Sequence, residues 1–488
     1  MKRPLSVFGF SYFIALGVAF CLPDTALNII CAAAALIFVL TSVLLRNNRR
    51  LIAVGALGVL VSIGNFMYVN FTRYYPCQDL VGQSHSIVLE VTEIPDYQNW
   101  GTRAKCKVLN ETVGDIKGEF YVMMSIYDAP GIRRGDVYMG NIKFDKNYIA
   151  QSGADYSRYQ NCYISATAAG SSLSRLDTKA TMQFLQDLRE LITARIRGFV
   201  SGDSGDVLCG VCFGDKSYIS DEVIELFRLC GASHLLALSG LHLGVFAAAL
   251  YAIFRLFNTN FRVTAVLSAI VSSLFAVLVG LTPSVCRALI LVWYTAIGKC
   301  IDRDTDAITV LGFSCVVLTF HNPYAMQNPG LMLSILSCIA IMVILPKFNR
   351  TYKHITGNSL PAVLQTVLGS VCVLLVTMAY SLYIFGEVSL AGVLLNVILI
   401  PLYSLIIPVG IFGGFAVVLL GRLAYLLQPV FTLIGILCDL SITLLKAVGN
   451  FADVYMIAPQ IEHALICAAV LIAIYIGLDV LDKKYARS

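Results

Sequence analysis

From residue 234 onward the chain is a succession of apolar segments, at about 235–257, 261–281, 284–300, 306–320, 328–345, 363–384, 388–419, 424–447 and 461–480. A helix needs roughly 20 apolar residues to cross the hydrocarbon core of a bilayer. In lipid only helices and closed barrels satisfy their own backbone, so such runs read as spanning helices. Composition agrees: 58% of the residues are hydrophobic and 13% are charged, against roughly 45–50% and about 25% in ordinary soluble domains. The expected fold is a polytopic α-helical membrane protein of about 12 transmembrane spans, with an inserted all-β domain described below. The net charge of +5 over 488 residues is accounted for by short basic loops beside spans and gives no sign of nucleic-acid binding. Most of the fifteen cysteines stand singly in apolar runs, where Cys acts as a small hydrophobe rather than as part of a disulfide framework.

Three N-terminal spans occupy residues 1–71. The first, about 5–22, follows Lys2 and Arg3 and reads as a retained span, because another apolar run follows at once. The second covers about 26–45 and the third about 51–71, separated by Arg46-Asn47-Asn48-Arg49-Arg50. By the positive-inside rule this loop and the N-terminus are cytoplasmic, and residue 72 emerges outside. Arg255 with Arg262, Lys299 with Arg303, Lys347 with Arg350 and Lys353, Arg422, and Lys483 with Lys484 and Arg487 fall in alternate connections when 388–419 is counted as one crossing. That pattern places a tail at 483–488 inside as well.

Residues 72–175 have another character. Alternating segments at 86–92, 102–109, 118–126, 136–144 and 158–166, parted by Gly, Pro, Asp and Asn, carry the period of strands. Five strands in about a hundred residues suit an extracytoplasmic OB-like barrel, among other all-β folds. Tyr97, Trp100, Phe120, Tyr121 and Tyr138 offer rings on which bases stack, but eleven Lys/Arg balance eleven Asp/Glu, so composition shows no electropositive groove. Cys77, Cys106 and Cys162 lie here; any two of them are candidates for a disulfide in an oxidising compartment.

Residues 176–233 read as amphipathic or surface helices, helical in pattern and too polar to span. Cys209-Gly210-Val211-Cys212 has the spacing of a metal or redox pair, yet no second pair stands nearby, and it reads as structural.

The transmembrane part, 234–482, carries polar groups where lipid-facing helices have none, and such groups normally mark a wet path or a partner. His234 and His242 are eight residues apart, two turns along an unbroken helix, with Ser239 and Gly240 between them. Ser284 and Arg287 open a second segment, Asn328 and Ser334 a third, and Glu387, Ser389, Asn396 and Pro401 a fourth. Arg287 must pair, snorkel or face water. Asp439 sits mid-span, two turns before Lys446, and is an ion or structural charge. The interruptions Pro401, Pro408, Gly410, Gly413 and Gly414 predict that 388–419 is broken or re-entrant. His85, His321, His354 and His463 are scattered, so no metal site or cofactor is expected. No P-loop, G-x-S-x-G or H-E-x-x-H occurs, and the expectation is a protein that is not an enzyme.

Gly214-Asp215-Lys216, the run Gly231 to His242, Pro283-Ser284 with Arg287-Ala288, and Val388-Ser389-Leu390 with Asn396 and Pro401, with Asp155-Tyr156-Ser157-Arg158-Tyr159 upstream, come in one order along the chain. Together they resemble the ComEC-type competence proteins. The resemblance implies an inner-membrane channel that passes single-stranded DNA to the cytoplasm during natural transformation. It also implies separate DNA-capture pilus or receptor proteins and a cytoplasmic helicase as partners. The nuclease domain of many members is not seen before Ser488, so a separate nuclease is expected. His234, Ser239, Gly240, His242, Ser284, Arg287, Ser389 and Asn396 would line or shape the path. The alternative from another class is an ion-coupled transporter of a small solute or lipid, using Asp439, Arg287 and the two histidines.

Overall fold

The computed structural model describes residues 3–20, 49–98, 101–110, 112–114, 116–128, 131–147, 157–449 and 455–456. The anticipated spans at 26–45 and 461–480, the tail 483–488, Trp100, and Asp155-Tyr156 lie outside the described residues. The chain forms two units, Met1–Leu188 with Ile308–Leu331, and Arg189–Ala307 with Met332–Ser488.

In the first unit, helices α1 (Pro4–Phe20) and α2 (Arg49–Val69) pack on one another and α1 also packs on Ala307–Phe320. Gly9 lies on Gly312 with no room for a Cβ, and Gly58 lies on the Phe8 carbonyl. Small residues allow this because helices associating in an apolar medium gain chiefly from close van der Waals contact. Phe66, Tyr74 and Tyr163 surround Tyr324, with ring centroids 5.7–5.8 Å from it. The hydroxyls are satisfied inside the cluster: Tyr324 donates to Asn70 at 2.7 Å and Tyr163 to Asn322 at 3.0 Å.

The same unit holds a five-stranded barrel. Its strands are β1 (Ser84–Val91), β2 (Gly101–Val108), β3 (Phe120–Tyr127), β4 (Asp136–Asp145) and β5 (Cys162–Ala169). Pairing runs β1–β2–β3–β5–β4 and returns to β1. Every pair is antiparallel except β3 with β5. Alternation is clean on β2, where Thr102, Ala104, Cys106 and Val108 point inward. The interior is filled by Ile87, Leu89, Val122, Met124, Ile142, Phe144 and Ile164.

β5 begins later than its alternation suggests, because Arg158–Gln160 form a 3-10 turn closed by left-handed Asn161. A sixth strand, Leu173–Thr178, adds to the edge of β4. Its residues are mostly exposed, so it carries little hydrophobic pattern. Of the aromatics, Phe120 is buried, the Tyr121 ring lies under Lys105 and the Tyr138 hydroxyl donates to Asp136. Cys77, Cys106 and Cys162 are all free buried thiols, contrary to the candidate disulfide. Cys106 and Cys162 stand on strands separated by β3, roughly 10 Å apart at two strand spacings, beyond disulfide reach.

Asp136 ties the barrel to its sixth strand. The fully buried carboxylate accepts from Arg133 N–H at 2.9 Å, Arg175 at 2.6 Å, Gln183 at 3.0 Å, and the hydroxyls of Tyr138 and Thr178 at 3.2 Å.

The second unit is helical: α3 (Ala180–Phe199, entering it at Arg189), α4 (Asp203–Phe213), α5 (Asp221–Leu229), α6 (Gly240–Leu256), α7 (Phe261–Val279), α8 (Pro283–Cys300), α9 (Pro329–Ile339, entering it at Met332), α10 (Leu345–Thr356), α11 (Ala362–Phe385), α12 (Ala391–Leu420) and α13 (Gln428–Gly449). Among the described residues of the whole chain, five helical stretches are long and apolar enough to cross a membrane: Arg50–Asp79, Phe261–Val279, Pro329–Thr356, Ala362–Phe385 and Ala391–Gly449, the last holding two helices. Pro4–Phe20, Gly240–Leu256 and Ala307–Phe320 are shorter apolar helices. α4 is buried along nearly all its length, which a surface helix would not be.

The expected break within 388–419 is absent. α12 is one helix through both Pro401 and Pro408. The glycines serve close packing instead: Gly410 lies against Cys212 and Leu208, Gly413 against Phe431, and Gly414 against Ile192, Phe213 and Ile196. Neighbouring helices held this closely stabilise a membrane helix that proline alone would weaken.

Replacing Asp136 by Ala should destabilise the barrel by about 3 kcal/mol, since Arg175 and four further donors lose a buried acceptor. Thermal unfolding of the purified protein in detergent checks this, and Asp136→Asn should lose clearly less.

Candidate functional site

The structure divides the stretch that sequence periodicity reads as one helix. Ser233–Leu236 make a single turn, and Ala237 is extended at φ −88, ψ 131. α6 then starts afresh with Ser239 as its N-cap, at φ −116, ψ 169. The reason is local and polar. Leu241 N–H donates to Ser239 Oγ at 3.2 Å, while Ser239 N–H donates to His242 Nδ1 at 3.1 Å. This is a reciprocal capping box with His in the place usually held by Glu or Gln. A backbone N–H can only donate, so Nδ1 is the bare nitrogen and a neutral ring carries its proton on Nε2. The Ser239 hydroxyl, 2.8 Å from the same nitrogen, is then its second donor. Ser239 is a helix cap, and the two histidines do not share a helical face: His242 is 2% exposed, whereas His234 is exposed.

A second helix start is built onto this turn. Thr282 caps α8, accepting from Val285 N–H at 3.4 Å, and its hydroxyl donates to the Leu238 carbonyl at 3.5 Å. Pro283 occupies the first helical position, where its missing N–H and fixed φ cost nothing. Ser284 follows, and Arg287 comes one turn on. The Arg287 side chain crosses the face of Gly240: a Cβ there would meet Nη2 at 2.5 Å and the Ala288 Cβ at 3.5 Å. Arg287 Nε donates to Ser334 Oγ on α9 at 2.8 Å. The Cys338 thiol lies beside the guanidinium, and no carboxylate pairs with it among the described residues. The positive charge is therefore held in place by a hydroxyl and has no counter-charge among the described residues.

Gly231 and Ser389 meet at a second junction. Gly231 has φ +66, a left-handed conformation that suits glycine. A Cβ on it would lie 3.2 Å from Ser389 Cβ and 3.4 Å from Gly392 Cα, while Gly392 abuts the carbonyls of Cys230 and Gly231. Beside this backbone contact Arg228 is ion-paired with Glu225 at 2.6 Å and with Glu387. These two carboxylates raise the Arg228 pKa above its ordinary value, and Arg228 in turn lowers that of Glu225.

Thus Ser239, Gly240, His242 and Arg287 come together, and Ser389 joins the same stretch through Gly231. Asn396 lies one turn beyond Gly392 with Oδ1 buried and unpartnered among the described residues. A buried polar atom of that kind is ordinarily satisfied by water or a bound molecule. Asp439 stands apart: its carboxylate accepts from Ser204, not from Lys446, and makes no hydrogen bond with His234, His242 or Arg287. Cys209 and Cys212 are buried thiols directed at the carbonyls of Thr193 and Ile407. Thr282, Gly231 and Gly392 were not singled out as site residues. A helix-capping Thr before Pro283 was readable locally, but the approach of Gly231 to Gly392 spans distant segments and leaves no local pattern.

Gly231→Ala should cost about 1–2 kcal/mol from the left-handed backbone alone, with further loss from crowding against Ser389. Gly244→Ala, where an added Cβ meets nothing within 4 Å, should leave stability unchanged or raised. Unfolding of both variants in detergent distinguishes the two.

Comparison with known proteins places this site inside a matched region. The model of the family described as Competence protein matches residues 211–481. A curated relative, ComE operon protein 3 of Bacillus subtilis (strain 168), is 27% identical over 376 residues, covering 76% of this chain and 45% of the relative. The alignment therefore spans less than half of that relative's length. No solved structure matches.

Proposed function

The chain belongs to the competence protein family, and from that premise we propose that it is an inner-membrane channel through which single-stranded DNA enters the cytoplasm during natural transformation. The observation that carries the proposal is Arg287. It is a guanidinium with no carboxylate partner among the described residues, positioned by Ser334 and laid across Gly240 at the junction of two capped helix starts. A cation fixed in this way in an apolar bundle is suited to an anion that arrives and leaves, and a phosphodiester supplies such anions in series. The paired termini of α6 and α8 form irregular backbone, which is tolerated at membrane depth where it is packed by protein or faces a wet path.

The barrel is an OB domain on the outer side of the membrane in this reading. Support comes from its closed order β1–β2–β3–β5–β4, with the one parallel pair between β3 and β5. The bundle comprises about 12 crossings with both termini cytoplasmic, as the alternating basic loops imply. The protein works with separate DNA-capture pilus or receptor proteins and a cytoplasmic helicase, and passage through the bundle is not itself a catalysed reaction. The transporter alternative draws no support from Asp439, whose hydrogen bond goes to Ser204 rather than to the histidines.

Arg287→Gln keeps a side chain able to reach Ser334 and removes the charge. It should lower internalisation of labelled DNA roughly tenfold, the loss of one charged contact, with membrane abundance unchanged on immunoblots. Parallel loss of uptake and abundance would assign Arg287 a structural role and sink the proposal.

A further inference from the structure

Gly214-Asp215-Lys216 follows α4 directly, and the roles assigned so far leave it unexplained. Gly214 is the left-handed C-cap of α4, at φ +69, and its N–H donates to the Gly210 carbonyl at 2.9 Å. A Cβ at Gly214 would meet the Leu238 side chain at 2.5 Å. Leu238 is the residue whose carbonyl receives the Thr282 hydroxyl, and it lies two positions before the glycine that Arg287 crosses. The loop after α4 is thus packed on the same turn as Arg287.

Its charged residues are disposed unequally. Asp215 turns back on its own loop and accepts from Ser217 N–H at 3.3 Å. Lys216 makes no ion pair or hydrogen bond among the described residues, although its neighbour in the loop is a carboxylate. The nearby basic residue Arg197 shows what an engaged cation looks like: it stacks on Tyr218 at 3.4 Å and reaches Asp206 at 4.0 Å. The Lys216 side chain is exposed, and yet the surrounding protein desolvates its ammonium and lowers its pKa, with no carboxylate offsetting that effect.

We propose that Lys216 is a second cationic contact for the phosphodiester backbone, set beside the Leu238–Gly240 turn on the path that Arg287 lines. The inference rests on the DNA-channel reading above. An ammonium on a flexible stem acts as a point charge, whereas a guanidinium held through Nε offers a fixed fork. A strand in transit benefits from more than one cationic site, because passage needs binding that is favourable and easily released. Phosphate oxygens at Lys216 would also replace hydration lost to the surrounding protein.

The test uses the full chain in two measurements. In detergent, binding of fluorescein-labelled oligothymidylate is followed as a function of salt. In a deletion strain complemented with each variant, transformation and membrane abundance are scored. Lys216→Gln should reduce the slope of log K against log salt by roughly 0.7, the loss of one single-strand phosphate contact. It should also lower transformation several-fold at unchanged abundance, while Lys216→Arg keeps both near wild type. A wild-type slope and wild-type transformation in Lys216→Gln, in a strain where Arg287→Gln is impaired, would overturn the assignment of Lys216 and leave the channel reading standing. Equal losses of abundance in the Gln and Arg variants would mark Lys216 as structural and overturn it too. Failure of the wild-type chain to bind the oligonucleotide or restore transformation would instead overturn the channel reading itself.

Discussion

A polar group inside an apolar helical bundle must find a partner, and the Ser239–His242 cap is where this constraint shapes the second unit. Left in a continuous helix, a serine and an imidazole at these positions would each need satisfaction from other helices. Starting a new helix at Gly240 lets Ser239 and His242 satisfy each other and two backbone N–H groups at once. The break has consequences beyond itself. It exposes the Leu238 carbonyl to Thr282, so the start of α8 is fastened to the start of α6. It also presents a glycine with no side chain to the flank of Arg287. A charge in an apolar bundle is thereby seated against backbone, with no carboxylate partner among the described residues.

Glycine does the complementary work of bringing segments into contact. Gly231 against Gly392 joins the loop before the cap to the start of α12, and Gly410, Gly413 and Gly414 seat α12 against α4, α3 and α13. Bulkier residues would push these backbones apart and move Arg287 and Ser389 with them, in a core where packing transmits strain. The glycines therefore position the polar residues.

What was legible in the sequence follows how local the cause is. Hydrophobic runs and strand alternation announced apolar helices among the described residues and the five barrel strands, because both arise from side-chain periodicity within one segment. Leu173–Thr178 escaped because its pairing with β4 rests on backbone hydrogen bonds and its side chains are largely exposed. Ser239, His242 and Arg287 stood out as polar residues in apolar surroundings. Their partners did not: Ser334 is 47 residues from Arg287 and Leu238 is 44 from Thr282. Prolines and glycines in 388–419 suggested a break, since the same residues that interrupt a helix in water permit close packing against neighbours in a bundle. Asp439 looked poised for Lys446 by helical spacing, and the tertiary fold offered Ser204 instead.

If the polar turn, seated charge and glycine contacts serve to pass a polyanion, DNA entry depends on this chain. The most direct measurement is entry of end-labelled DNA into a strain lacking its own channel gene and complemented by this chain alone, with the capture, helicase and nuclease proteins left intact. The account predicts nuclease-protected single-stranded label in the cytoplasm, restored to near the level of the unmodified strain. Label that stays outside while the chain is present in the membrane at normal abundance would contradict it.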